Sequence, residues 1–202
     1  MDNLIRLLIQ NERIISNKNK NIKLTKDEAH YINKVMRIKF GTEIFITNGQ
    51  GALWKAKNLE NNFIKINNID KPYFFQEKEK FTLGIAVVVP KNGFEDILKM
   101  CTEIGIDFIQ PLFSERQVKK NSDFSKKSLR WNSIINEAVE QSERLWRPCL
   151  LNGVDLIDWI DSRDSKDIIS ISVTRYNSSE NLNDWLQKKQ NLFDKKVECY
   201  GM

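Results

Sequence analysis

Three apolar runs in this 202-residue chain give way to residues suited to an anionic or polar substrate. Phe81–Val89 leads to Lys91-Asn92, Ile106–Phe113 to Ser114-Glu115-Arg116, and Asp167–Val173 to Thr174-Arg175. If each run is a strand of one parallel sheet, these residues meet at its carboxyl edge, where such sheets bind ligands. The plainer alternative, that strands simply end where polarity begins, stays open on these residues alone. Other chemistries lack carriers. No GxGxxG, GxxxxGK[ST] or GxSxG occurs, which removes a dinucleotide fingerprint, a P-loop and a nucleophile elbow. The single histidine, His30, stands beside Tyr31 and before Lys34 and Arg37, and reads as a surface or RNA-facing residue. Cys101, Cys149 and Cys199 are odd in number and form no CxxC pair. Neither a disulfide framework nor a zinc site is expected, and no metal is implied. Acid–base work would fall to carboxylates or to the substrate.

The elements that would carry these residues show two patterns. Glu43–Thr47, Leu53–Lys57 and Phe63–Asn67 are short strand-like runs, the first two joined by the turn Asn48-Gly49-Gln50-Gly51. Thr25 stands three residues before Glu28, a capping box that predicts a short helix through Val35. Short strands with one short helix predict a small β-barrel over residues 1–72. Residues 73–80 are expected to link it to a second domain, 81–202. There the period changes. Phe81–Val89 suits a strand buried on both faces. Phe94, Ile97, Leu98, Cys101 and Ile104 recur at helical spacing, with Gly105 as the terminating glycine. Leu129–Leu145 is a second predicted helix, closed by Pro148, and Asp155–Asp161 a helical turn. Strands are expected over 106–113, 167–173 and from Val197. Strand–helix alternation makes the fold class α/β, with a parallel sheet and flanking helices.

Charge separates the same two regions. Residues 1–76 hold 13 basic and 7 acidic side chains, whereas residues 77–202 hold 19 and 20. A cationic minority domain beside a neutral majority domain suits a module that grips a polyanion. Lysine inflated for solubility weighs equally on composition alone. A second cluster, Arg116 to Arg130, includes Lys119 and Lys120. No apolar run is long enough to cross a bilayer and the first residues lack a signal-peptide layout, so a reducing cytoplasm and no membrane partner are expected.

Particular residues then carry more than spacing. His30-Tyr31-Ile32-Asn33-Lys34-Val35-Met36-Arg37-Ile38-Lys39-Phe40-Gly41, followed by Asn48-Gly49-Gln50-Gly51, resembles the N-terminal PUA-like domain of the RsmE family. Arg6 resembles the arginine that opens that domain. Thr102-Glu103-Ile104-Gly105-Ile106, Pro111 and Ser114-Glu115-Arg116 are similar to the family's TELGV…P…SER stretch. Arg130-Trp131 and Glu137–Arg144, closed by Pro148, resemble its RW…EAAEQSxR…P helix. The matches run in order from residue 6 to 148. The family methylates N3 of a uridine in small-subunit ribosomal RNA, so the resemblance implies a SPOUT-type domain that ties a trefoil knot around S-adenosylmethionine and works as a homodimer.

The resemblance implies roles for residues. Arg116 and Arg144 would contact the uracil edge or phosphate, with Glu140 or Glu103 as proton acceptor. The alternative for Arg144 is a helix-surface ion pair with Glu140. Arg6, His30, Lys34, Arg37, Lys91, Lys119 and Lys120 would contact small-subunit ribosomal RNA or the ribosomal subunit. Thr174 and Gly201 would approach the cofactor. The family's GPEGG loop and LGxRILRxETA stretch are not found in Val197-Glu198-Cys199-Tyr200-Gly201-Met202. An incomplete knot, weak S-adenosylmethionine binding and a doubtful dimer are therefore expected of the chain as written. A non-catalytic RNA-binding remnant is the alternative function.

Overall fold

The structure, a computed structural model, describes residues 5–16, 21–114, 124–164, 168–169, 181 and 183–189. The first domain builds one sheet from β1 (Arg6–Leu8), β2 (Asn21–Lys23), β3 (Glu43–Thr47), β4 (Ala52–Leu59), β5 (Phe63–Ile66) and β6 (Phe74–Phe75). Its order is β1-β3-β4-β5-β2, with β6 paired to β4. Helices α1 (Asn11–Ile15) and α2 (Lys26–His30) stand beside it, α2 running on into a wider π-turn over Tyr31–Val35. The Thr25 capping box forms: its hydroxyl accepts from the Glu28 N–H, and the Glu28 carboxylate accepts from the Thr25 N–H. Alternation along the strands puts Ile44, Ile46, Ala56, Ile64 and Ile66 on one face, each fully buried with Leu7, Ile9, Ile14 and Ile32.

The expected closed barrel is not what forms. β1 and β2 end the sheet without pairing to one another. The cause lies at β1. Its odd residues bond to β3, through the Ile5 carbonyl to the Phe45 N–H and the Ile9 N–H to the Thr47 carbonyl. The Leu8 N–H points the other way and meets a side chain of the second domain, the Glu140 carboxylate, at 2.8 Å. A helix end takes the edge that a closing strand would need.

The second domain is α/β. β7 (Gly84–Val88), α3 (Phe94–Ile104), β8 (Phe108–Phe113), α4 (Phe124–Gln141), β9 (Cys149–Leu150), β10 (Val154–Asp155) and α5 (Leu156–Asp161) follow in order. All pairings are parallel. β7 lies on one side of β8, while β9 and β10 share the other, β9 at the start of β8 and β10 at its end. Gly105 ends α3 in the left-handed conformation, φ 88°, which a side chain would resist. Phe94, Leu98 and Cys101 of α3 pack with Ile109, Trp131, Ile135 and Val139, and the Phe94 and Trp131 rings meet edge-on at 4.5 Å. β7, expected to be buried on both faces, is half-exposed, because among the described residues it pairs with β8 alone. Ile168 and Ile169 are described without regular structure. The rest of the strand expected over 167–173, the strand from Val197 and the knot lie outside the described residues.

Candidate functional site

A parallel sheet has two ends, and the predicted residues divide between them. Helix α4 runs back along β8, so its last turn and the loop to β9 lie at the amino edge. There the first domain docks. Arg6 donates from Nη2 to a Glu143 carboxylate oxygen at 2.8 Å and from Nη1 to the Glu143 carbonyl. Its aliphatic and cationic parts lie over Phe45, the guanidinium carbon 6.0 Å from the ring centre. The turn 48–51 is clamped beside it. Gly51 N–H donates to the Leu145 carbonyl, Arg147 N–H to the Gly49 carbonyl, and Trp146 Nε1 to the Gln76 carbonyl. Gly49 and Gly51 have φ of 67° and 92°. A Cβ at Gly51 would stand 2.5 Å from the Gln76 carbonyl oxygen and 2.9 Å from the Trp146 ring, so both conformation and space demand glycine.

Glu140 sits in this joint. Its Oε1 accepts the Leu8 N–H, which favours the ionised form, yet burial outweighs that bond and pushes its pKa up to about 7, with Glu137 and Glu28 adding repulsion. Tyr31 is raised by burial and by the nearby Glu140 and Glu137. Arg144 makes no ion pair with Glu140. Its guanidinium lies against Gly105, where a Cβ would stand 2.2 Å from Nη2, and Nη1 donates to the Glu103 carbonyl at 3.3 Å. That position completes the end of α3, a favourable place for a cation. Arg147, which sequence reasoning passed over, is more fully enclosed. It donates to Asn136 and Asn132 side chains and the Pro148 carbonyl, and burial lowers its pKa.

The carboxyl edge is different. Lys91 stands exposed beyond β7, and Ser114 half-buried beyond β8. Gln110 Nε2 donates to the Asn152 carbonyl at 2.6 Å, fixing the neighbouring loop. Arg116, Lys119 and Lys120 follow Ser114 but lie outside the described residues, as do Thr174 and Gly201. The six residues of β8 separate the two edges by roughly 20 Å. Arg144 and Glu140, expected to share a site with Arg116, are therefore at the opposite end from Ser114 within this chain. The reason is topological: the helix that carries them antiparallel to β8 ends where β8 begins.

On the first domain, His30, Lys34 and Arg37 are all exposed, and the π-turn leads to a left-handed Arg37, φ 52°. Outside this ridge, β4 and the segment after β5 frame a cleft that sequence reasoning also missed. Trp54 and Asn67 line it, with Lys55, Lys71 and Tyr73. Its signal was present: three consecutive aromatic residues, Tyr73-Phe74-Phe75, stand in an otherwise polar stretch. Among the described residues no group of three or more His, Cys, Asp or Glu side chains could hold a metal, and no helix is long and apolar enough to cross a membrane.

A mixed sheet flanked by the exposed cations Lys34 and Arg37, docked on the amino edge of a parallel sheet, defines a two-part α/β protein. The family model described as an RNA methyltransferase domain matches residues 76–199, and that of the RNA methyltransferase PUA domain matches 24–57. The chain belongs to this RNA methyltransferase family, of the RsmE type. Ribosomal RNA small subunit methyltransferase E of Synechocystis is 31% identical over 175 residues, covering 86% of this chain and 56% of the relative. The protein of the same name from Buchnera aphidicola of Acyrthosiphon pisum is 28% identical, covering 71% and 58%. The chain thus spans a little over half the length of these curated relatives. Among solved structures, the Neisseria gonorrhoeae protein of that name, bound to S-adenosyl methionine, has a TM-score of 0.65 at 21% identity, covering 81% of this chain and 67% of that one. A probable rRNA-methyltransferase from Porphyromonas gingivalis has a TM-score of 0.61 at 20% identity, covering 81% and 65%. These two neighbours share the fold.

Proposed function

We propose that this chain acts in S-adenosylmethionine-dependent methylation of uridine N3 in small-subunit ribosomal RNA, in the cytoplasm. The observation that carries the reading is the match of residues 76–199 to an RNA methyltransferase domain, over a parallel sheet whose carboxyl edge carries Lys91 and Ser114. Uracil N3–H is a weak acid, and its nitrogen must lose that proton to attack an electrophilic methyl group. Cations at the O2 and O4 edge stabilise the anion that develops. Arg116, two residues beyond Ser114, is the proposed cation, with Lys91, Lys119 and Lys120 holding phosphates around it. His30, Lys34 and Arg37 extend the grip over the first domain. Arg6 and Glu140 are proposed to position the two domains, and Arg144 to hold the end of α3.

The described residues alone do not compose a site for S-adenosylmethionine. Gly153, beside the carboxyl edge, is closed by the Phe113 ring, 2.3 Å from where its Cβ would be. Thr174 and Gly201 are proposed cofactor contacts. Residues 1–72, with β6 of the following segment added to their sheet, are proposed as the RNA-gripping domain, the remainder of 73–80 as the link and 81–202 as the methyltransferase domain. The test is transfer of labelled methyl groups to small-subunit RNA, with RNA binding measured in parallel. Transfer at uridine N3, abolished by Arg116→Ala, supports the reading. RNA binding without transfer favours a non-catalytic RNA-binding protein.

A further inference from the structure

The cleft on the first domain has no part in the joint and none in the proposed methyl transfer. Its volume is about 330 Å³, the small end of the range for ligand sites. Trp54 lines it, 6% exposed and held by an Nε1 hydrogen bond to the Ile69 carbonyl. Tyr73 lines it too and stands 62% exposed, an unusual state for an aromatic ring that other contacts nevertheless fix. The Phe45 ring lies 5.5 Å away, and Lys55 Nζ sits 4.7 Å over the Tyr73 ring. The ring is thus held ready, with little freedom left to lose on stacking.

Polar groups complete the cleft. Asn68 Oδ1 accepts from the Asp70 N–H at 3.2 Å, which leaves its NH₂ to donate. Asn67 Nδ2 leans towards a Glu43 oxygen at 3.5 Å, leaving its Oδ1 to accept. Both side chains line the cleft, so it offers a donor and an acceptor, as the edge of a nucleobase requires. Lys55 and Lys71 supply positive charge. Lys55 is shared with a Glu43 carboxylate at 3.5 Å, so Lys71, exposed, is the phosphate partner.

We propose that this cleft takes one unpaired nucleobase of single-stranded RNA, stacked on Tyr73 and read at its edge by Asn67 and Asn68. The inference rests on the RNA reading above and adds a second contact point away from the reacting uridine. Stacking on a preset ring selects unpaired bases, since paired ones present no free face.

The full chain is titrated with a labelled single-stranded RNA of about ten nucleotides and with a duplex of the same length. Tyr73→Ala is expected to weaken single-strand binding about tenfold and leave duplex binding unchanged, whereas Tyr73→Phe stays within about twofold of the unaltered chain. Lys71→Ala is expected to lower the slope of log affinity against log salt by about 0.7. Tyr73 is exposed, so an unchanged melting temperature shows that the fold survives. Single-strand binding by Tyr73→Ala equal to that of the unaltered chain overturns the cleft and leaves the RNA reading standing. Displacement of the RNA by polyglutamate in preference to unlabelled RNA overturns it in favour of an acidic peptide. Failure of the unaltered chain to bind RNA removes both readings.

Discussion

The two ends of the parallel sheet use the same residue types for opposite purposes. At the amino edge, Arg6, Arg144 and Arg147 are spent on the protein itself, bonded to Glu143, to the end of α3 and to two asparagines. At the carboxyl edge, Lys91 faces solvent and Ser114 precedes a basic stretch of sequence. Arginine, with its rigid fork of donors, suits the enclosed joint, and a flexible lysine suits a mobile polyanion. The consequence is that cationic residue type alone does not mark an RNA contact in this chain. Burial and partner decide it.

Two glycines in the same conformation sharpen the contrast. Gly51 in the joint and Gly93 at the carboxyl edge have φ of 92° and 84°. A Cβ at Gly51 meets backbone and an indole ring, whereas nothing lies within 4 Å at Gly93. Gly51→Ala combines backbone strain with overlap and is expected to cost about 4 kcal/mol. Gly93→Ala carries the backbone part alone, about 1 kcal/mol. Urea unfolding of both variants measures the difference. Equal losses would mean that the joint yields to the extra atom and is not tightly packed.

The next largest effect is set by pH. Glu140 titrates at about 7 in the folded chain against about 4.3 for an unfolded glutamate. Between these values the folded chain holds the extra proton, so this group's contribution is greatest below pH 4.3 and is lost as pH rises through 7. The loss is on the order of 3 kcal/mol. Glu140→Gln keeps an oxygen for the Leu8 N–H and has no proton to lose. Its unfolding free energy, compared with that of the unaltered chain at pH 5 and 8, is expected to lack this fall. Parallel pH profiles for the two proteins would remove Glu140 from the joint.

Much of this was legible before any coordinates. The strand runs around Ile44, Leu53 and Ile64 and the helix from Phe94 to Ile104 declared themselves because alternation and helical spacing follow directly from burying one face. The Thr25 cap and Gly105 were legible because each solves a local backbone problem. The open sheet was not, because whether β1 finds a closing strand depends on Glu140, more than a hundred residues away in sequence. The site was half legible for the same reason. Exposure of His30, Lys34 and Arg37 follows from local pattern. The diversion of Arg6 and Arg144 into the joint depends on which end of α4 meets which end of β8. The aromatic cleft was hidden because Tyr73-Phe74-Phe75 looks like a linker until β6 pairs with β4.

Arg147 tests how strongly the joint depends on its cation. Replacing it with methionine keeps the stem and removes the donors to Asn132, Asn136 and the Pro148 carbonyl. Part of the lost bonding is offset because a buried charge disappears with it. The net loss is expected to be about 2 kcal/mol in urea unfolding. A variant as stable as the unaltered chain would show that the asparagines find other partners.

The smallest effect on stability belongs to the carboxyl edge. Lys91 is exposed and follows the last residue of β7 by three, so Lys91→Ala is expected to change unfolding free energy by less than about 0.5 kcal/mol. If that edge receives RNA, the same substitution removes one phosphate contact, and the slope of log affinity against log salt falls by about 0.7 for a single strand. Stability and binding are then separated at one residue, the reverse of what Arg147 shows. A salt slope identical to that of the unaltered chain would take Lys91 out of the RNA path. A slope lowered by Arg6→Met instead, at unchanged stability, would move the RNA to the amino edge, because a guanidinium released from Glu143 by the approach of a phosphate leaves the joint's other bonds intact.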